Sequence, residues 1–416
     1  FAVNAAYEQL NFNVTNFDWE GGGAVNRTLV LGEMASDDAD KGSTGGDQPE
    51  MGQIANFNIF SDNNNVLGVW RRSYEGITAA NLVLDRVPDI KMNENLKSRI
   101  LGEAKFLRGV YYFNLVRSFG GVPIILEPKN ITELQIPRST TEETWQQIEI
   151  DLSESINVLP TKSDLNSQDI GRATKGAAQA MLAKAYLFQE EWQKSLDIVQ
   201  QIIDSGEYEL VEDYRWNFDI NHENNKESIF EIQHVSGASP AIGNIFNVMA
   251  APREIGGWGF LLPRKEFVDA FSSDDPRLDF TVGRHGKDFF GVTFDSTFTQ
   301  TGFAQKKYLQ VNPQPSSRGD GGNNYTVIRF ADVLLWKAEI LAELGDVEGA
   351  EIPLEKVRAR ARDQADNPLV ALPEIEGLSQ QAMIDTIRHE RRVELGFENH
   401  RFWDLKRWGI AGEVLR

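Results

Sequence analysis

The feature that most narrows the fold is an offset of twelve residues between small side chains, found twice and far apart in the chain. In "TKGAAQAMLAKAYLFQEEWQKSLDIVQQIIDSGEYEL", residues 174–210, Ala183 is followed twelve positions later by Ser195, with a turn near Glu191 and a glycine stop at Gly206. In "RFADVLLWKAEILAELGDVEGAEIPLEKVRARA" the same offset separates Ala338 from Ala350, and Gly345 and Asp346 make the turn. Apolar residues in both stretches recur at three and four positions, so each reads as two antiparallel helices. Helices joined by so short a turn pack closely only where the side chains at their crossing are small. The spacing predicts stacked helix pairs.

That offset is the rule of tetratricopeptide-type pairs, and further helices extend the series. Residues 66–87, "VLGVWRRSYEGITAANLVLDRV", carry Val66, Trp70, Tyr74, Ile77 and Asn81 on one face and end at Pro88. Residues 94–119 align Leu101, Ala104, Leu107 and Tyr111 and stop at Gly120, Gly121 and Pro123. A third helix starts in "TTEETWQQIEIDLSESINVLP", with Thr141 and Thr144 offering capping hydroxyls. Between the helical blocks lie residues 37–65 and 211–324, rich in Gly, Asn, Asp and Phe, with short strand-like runs such as "SIFEIQHV" and the hairpin-like "GKDFFGVTFDSTF". The expected fold is mainly α: one domain over 1–416, its helical scaffold at 66–210 and 325–411, its long irregular loops at 37–65 and 211–324, and a few short β-hairpins. Loops of that length in a compact protein usually carry function.

Charge and composition remove several functions. Forty-two basic against 62 acidic residues give a formal charge of -20, a field that repels phosphate backbones, so no nucleic-acid partner is expected. There is no cysteine and there are only five histidines, which excludes thiolate chemistry and argues against a histidine metal site. No stretch approaches the ~18 uninterrupted apolar residues of a membrane span. "GGGAVN" and "GDGGNN" lack the lysine and the strand–helix setting of a phosphate loop, and "RGD" at 318–320 is too short to signify adhesion. "SDDADKG" and "SDNNN" lack the twelve-residue calcium pattern. Neither a metal nor a cofactor is expected.

Four stretches together resemble the SusD/RagB family of surface glycan-binding lipoproteins from Bacteroidetes-type bacteria: "VWRRSYEGITAANLVLDRV", "EAKFLRGVYYFNLVRSFGGVPII", "AAQAMLAKAYLFQEEWQKSLDIVQQII", and "IRFADVLLWKAEILAE" followed by "IRHERRVELGFENHRFWDLKRWG". "GGWGFLLPRKEFVDAFSSDDPR" resembles a further landmark of that family. The resemblance implies a non-enzymatic glycan-capture protein on the outer membrane that serves as the lid of a TonB-dependent, SusC-like transporter. It further implies a lipid anchor on a cysteine preceding this sequence and a Pro- and Asn-rich tail beyond Arg416.

A sugar offers C–H patches edged with hydroxyls, so its site needs flat aromatic faces beside Asp, Asn, Gln or Arg. Those types crowd "ASDDADKGSTGGDQPEMGQIANFNIFSDNNN", which supplies Asp37, Asp38, Asp47, Phe57, Asn58, Phe60 and Asp62. By the resemblance this region walls the sugar site, with Asp37 and Asp38 where relatives often carry an acidic pair. Trp258, flanked by Gly256, Gly257 and Gly259, is the best single aromatic candidate, with Arg253 before it and Phe290 in the hairpin. The structural alternatives are that the Asx residues serve turns, that Trp258 plugs a gap, and that Arg253 pairs internally. The expected ligand is an oligosaccharide, a neutral one given the charge. A peptide-binding helical scaffold and a glycoside hydrolase are the competing functions. "ENHRFWDLKRWG", residues 398–409, reads as a structural clasp: Arg391 falls in an apolar helix face and needs a carboxylate, while Glu390, Glu394 and Glu398 form a like-charged row that needs cations.

Overall fold

The computed structural model describes residues 3–11, 30–239, 241–310 and 319–415; "GGGAVN" and Arg318 of "RGD" lie outside them. Helices begin where a side chain satisfies the first unpaired N–H groups. Asn63 accepts from the backbone of Asn65 and Val66 to start α3 (Asn64–Arg86), and Asn93 starts α4 (Glu94–Phe119). α5 (Thr141–Ile156) opens on a reciprocal cap between Thr140 and Glu143, so the capping hydroxyl belongs to Thr140 rather than Thr141. Thr144 instead turns its hydroxyl back to the Thr140 carbonyl at 2.8 Å. Thr174 caps α6 (Lys175–Leu187), Asp346 caps α9 (Val347–Arg362) and Ser379 caps α10 (Gln380–Glu394). α7 (Trp192–Asp204), α8 (Phe330–Glu343) and α11 (Arg401–Arg407) complete the helices that matter below.

Successive helices from α3 to α9 pack as neighbours, and α10 lies against α8 and α9. The small residues sit at the crossings. Ala183, Ser195, Ala338 and Ala350 are all fully buried, and the Ser195 hydroxyl donates to the Ala183 carbonyl at 2.9 Å, a reach possible only between closely packed axes. α3 and α4 approach so tightly that a Cβ on Gly76 would lie 2.2 Å from the Tyr111 ring. α7 packs directly on α8, with Lys337 donating to Gln200 at 2.9 Å, so the scaffold is continuous across the long insertion between them. Antiparallel strands β2 (Ser228–Ile232) and β6 (Tyr325–Arg329) pair Ser228 with Arg329 and tie the two ends of that insertion together.

Buried charge holds the insertion to the scaffold. Arg277 and Lys307 of the insertion, with Arg329, Arg358 and Arg360, meet Glu227, Asp275, Glu390, Glu394 and Glu398 in a balanced, water-excluded cluster. The like-charged row of Glu390, Glu394 and Glu398 is therefore neutralised from β6, α9 and the insertion, and not from "HRFWDLKR". The buried Arg391 does find its carboxylates, Asp332 at 2.7 Å and Asp404 at 3.0 Å. Arg407 pairs with Glu339, which also accepts from the Trp408 indole at 2.7 Å, and Arg117 lies over Trp403 at 4.5 Å. Arg391, Arg407, Trp403 and Trp408 thus each have an internal partner, as a clasp requires.

Candidate functional site

The two loop regions singled out by composition pack on one another. β1 (Ala39–Gly42) pairs antiparallel with β3 (Phe260–Pro263), placing Gly42 opposite Phe260, and the Ser43 N–H donates to Gly259 at 2.6 Å. Gly42 has φ 71° and a Cβ there would lie 2.3 Å from the Gly259 oxygen, so this crossing needs glycine. Gly257 is constrained in the same way, since a Cβ would meet the Ala251 oxygen at 1.9 Å. Arg253 donates to the Ser43 hydroxyl at 2.8 Å and forms an ion pair with Asp47, while Gln300 donates to the Ser43 carbonyl. Lys41 braces the turn from inside, reaching the Thr44 and Asp47 carbonyls at 2.7 and 2.6 Å.

From this junction α2 (Pro49–Ala55), about 10 Å long at 1.5 Å per residue, leads to the segment "NFNIFSDNN". Asn63 fixes the end of that segment: its amide donates to Glu50 at 2.9 Å and Gln53 at 2.8 Å while its oxygen caps α3. Between these anchors Phe57, Ile59 and Phe60 are 47%, 46% and 56% exposed. Asn56, Asn58 and Asp62 are exposed beside them, and no acceptor or donor among the described residues engages the Asn58 or Asp62 side chain. Three neighbouring exposed apolar side chains, held on a fixed loop and interleaved with free polar groups, form a platform suited to an amphipathic ring.

The remaining candidates fall elsewhere. Trp258 is partly buried with its ring packed against the core, so only part of the ring faces outward, while its backbone N–H donates to the Val248 carbonyl at 2.6 Å. The structure places Asp37 and Asp38 in internal ion pairs. Asp37 accepts two bonds from Arg401 at 2.8 Å each, and Asp38, at 0% exposure, accepts from Arg392 at 2.7 Å. Burial pushes the Asp38 carboxyl up to about 6 against the pull of Arg392; for Asp37 burial acts the same way, but Arg401 and Arg392 hold it below the usual range. Both tie the start of β1 to α10 and α11. Phe290 sits on the expected hairpin, β4 (Asp288–Phe289) with β5 (Val292–Thr293), but away from the platform, in a separate cavity with Trp216 and Phe280. Trp216 and Phe280 were not anticipated, although "YRWNFDINH" carries the same mixture of aromatic and Asx residues as the platform loop.

Beneath β1 lies Glu33, whose one carboxyl oxygen accepts from Asn399 at 2.6 Å while the other has no partner. Burial, with Asp38 adding to it, pushes its carboxyl up to about 8. Because the folded value lies above the unfolded one, this group stabilises fully below about pH 4.5 and the contribution is lost as pH rises through about 8. Glu33→Gln is expected to gain about 1–2 kcal/mol over the native protein at pH 8.5 and little at pH 5, measured by urea unfolding at both values. An equal effect at the two pH values would contradict this.

The chain matches the model of a family described as "SusD family" over residues 226–415 and that of a family described as "Starch-binding associating with outer membrane" over residues 25–187. A laminarin-binding SusD-like protein superposes with a TM-score of 0.83 at 29% identity, covering 100% of this chain and 91% of its own. A SusD-like carbohydrate-binding protein from Bacteroides fragilis gives a TM-score of 0.87 at 25% identity, covering 100% of this chain and 86% of its own. The SusD-like protein P2 of Formosa agariphila is 27% identical over 99% of this chain and 84% of its own length.

Proposed function

The chain belongs to the SusD family, and on that premise we propose that it captures a neutral oligosaccharide on the Phe57–Phe60 platform and delivers it, without catalysis, to a SusC-like TonB-dependent transporter. The observation that carries the reading is the run of exposed Phe57, Ile59 and Phe60 on a loop braced at both ends. Pyranose C–H faces cover such rings, and Asn58, Asp62 and the outer edge of Arg253 supply hydroxyl partners. Asp47 is paired with Arg253, and Asp37 and Asp38 are held by arginines, which leaves Asp62 as the one unengaged carboxylate among these candidates, whereas glycoside hydrolysis uses a pair; this supports the non-catalytic reading. The description of one matching family, starch-binding in association with the outer membrane, supports a lipid-anchored place on the cell surface beside the transporter. The 29%-identical laminarin-binding relative makes a β-glucan the first ligand to try.

Affinity electrophoresis and calorimetry against laminarin and other neutral polysaccharides test this. Phe57→Ala/Phe60→Ala is expected to weaken binding roughly 10- to 100-fold, about 1.4–2.7 kcal/mol, with the thermal midpoint unchanged because both rings are already exposed. Trp258→Ala is expected to act mainly on stability. Failure of the native protein to bind any polysaccharide, or full affinity in the double variant, sinks the platform reading; retention of a peptide in place of sugar would favour a peptide scaffold.

A further inference from the structure

Away from the platform, a cavity of about 680 Å³ opens within the insertion, lined by Trp216, Phe280 and Phe290 and edged by Arg215, Asn221 and Lys287. None of Asp47, Phe57, Phe60, Arg253 or Trp258 borders it. Its size lies within the range of about 300–1,000 Å³ found for small-ligand pockets. Trp216 has one face covered by the His222 ring, stacked at 4.7 Å with 7° between the planes, so a ligand has a single indole face available. The indole N–H has no acceptor among the described residues. Arg215 lies over Phe280 at 4.9 Å and Lys306 over Phe290 at 5.6 Å, which leaves each of those rings one face as well.

The charges on the wall decide the ligand class. Four carboxylates, Asp213, Asp219, Asp279 and Asp288, stand against Arg215, Lys287, Lys306 and Lys307, and the cations are already engaged. Arg215 is clamped by Asp213 through two bonds of 3.0 Å and one of 2.5 Å, Lys287 lies 3.3 Å from Asp279, Lys307 lies 2.7 Å from Glu398, and Lys306 donates to the Asp279 and Asp288 carbonyls at 2.7 and 3.2 Å. The four carboxylates and four cations of the wall cancel, so it offers no net charge to a phosphate or a sulfated sugar, and no cluster suited to a metal ion is found among the described residues. What remains is flat apolar surface ringed by fixed donors and acceptors, which matches a neutral polyhydroxylated ring.

The geometry points to this cavity as a second carbohydrate site, separate from the platform, that takes a short neutral oligosaccharide with one ring stacked on Trp216. The ligand class rests on the glycan reading above; the location does not. A walled cavity admits a chain end or a released fragment, whereas the open platform accepts the middle of a polymer.

Calorimetry with laminaribiose and with laminarin on the native protein, Trp216→Leu and Phe57→Ala/Phe60→Ala separates the two sites. Leucine keeps apolar bulk but removes the flat face, so the variant is expected to fold, and a thermal melt verifies this; if it does not fold, Lys287→Ala, an exposed change at the rim, is read in its place. Trp216→Leu is expected to weaken the disaccharide at least tenfold and leave the polymer within twofold; the Lys287 change is expected to weaken the disaccharide about threefold. The platform double variant is expected to do the reverse. Disaccharide affinity unchanged in the folded Trp216 or Lys287 variant, with polymer binding intact, overturns the second site alone. Absence of all neutral-glycan binding by the native protein overturns both readings together.

Discussion

Glu394→Ala is expected to lower the free energy of unfolding by about 3–5 kcal/mol, because it leaves buried arginines without their shared counter-charge. Glu394 contacts Arg277 at 2.8 Å, Arg329 at 2.6 Å and Arg360 at 2.5 Å, and none of these is exposed enough for water to take its place. Burial alone would raise its carboxyl, yet Arg360, Arg329 and Arg277 together drive it far below the ordinary glutamate range. A carboxylate with a depressed folded value stabilises above the unfolded value, near pH 4.5, and loses that contribution as pH falls. The gap between native and variant proteins should therefore be full at pH 7 and shrink in acid. Urea unfolding at pH 7 and pH 3.5 measures both; a difference below about 1 kcal/mol at pH 7 would show that the arginines re-pair with Glu227, Glu390 and Glu398. Glu394→Gln, which preserves shape, is expected to be nearly as damaging, separating lost charge from lost volume.

That cluster marks the boundary of what the sequence discloses. The helix pairs were legible because apolar spacing and the twelve-residue offset are local signals, and Ala183, Ser195, Ala338 and Ala350 lie at their crossings. The need of Arg391 for a carboxylate was legible too, since an arginine in an apolar stripe cannot be left unpaired. Which carboxylates it takes was not. Arg277 is 113 residues from Glu390, and among 62 acidic side chains nothing local marks a partner so distant. The same limit shaped the reading of the loops. Residues 37–65 and 211–324 were grouped by composition, and β1 with β3 brings them together, but an Asp that pairs with a distant arginine looks in sequence like one that meets a ligand. Trp216, Phe280 and Phe290 share one cavity although 74 positions separate the first from the last. Only tertiary packing joins them.

Asp38→Ala gives the sharpest test of that distinction and is expected to cost about 2–3 kcal/mol of stability while leaving glycan affinity per folded molecule within twofold. Asp38 accepts from Arg392 at 2.7 Å, and Arg401 stands 3.7 Å away, so its removal leaves two partly buried guanidinium groups sharing Asp37 alone. The loss is smaller than at Glu394 because Arg392 and Arg401 retain that second carboxylate and some access to water. The platform should survive, because its braces are elsewhere: Asn63 to Glu50 and Gln53, Arg253 to Ser43, and the Asp38 carbonyl, which accepts from Arg264 whatever the side chain. Asp38→Asn should fall between the native protein and the alanine variant, since an amide oxygen still accepts from Arg392 without neutralising it. Differential scanning calorimetry paired with titration of laminarin reads both quantities. A tenfold loss of affinity with an unchanged melting temperature would return Asp38 to the ligand and require the loop to turn its buried carboxylate outward, breaking the arginine contacts that hold β1 to α10.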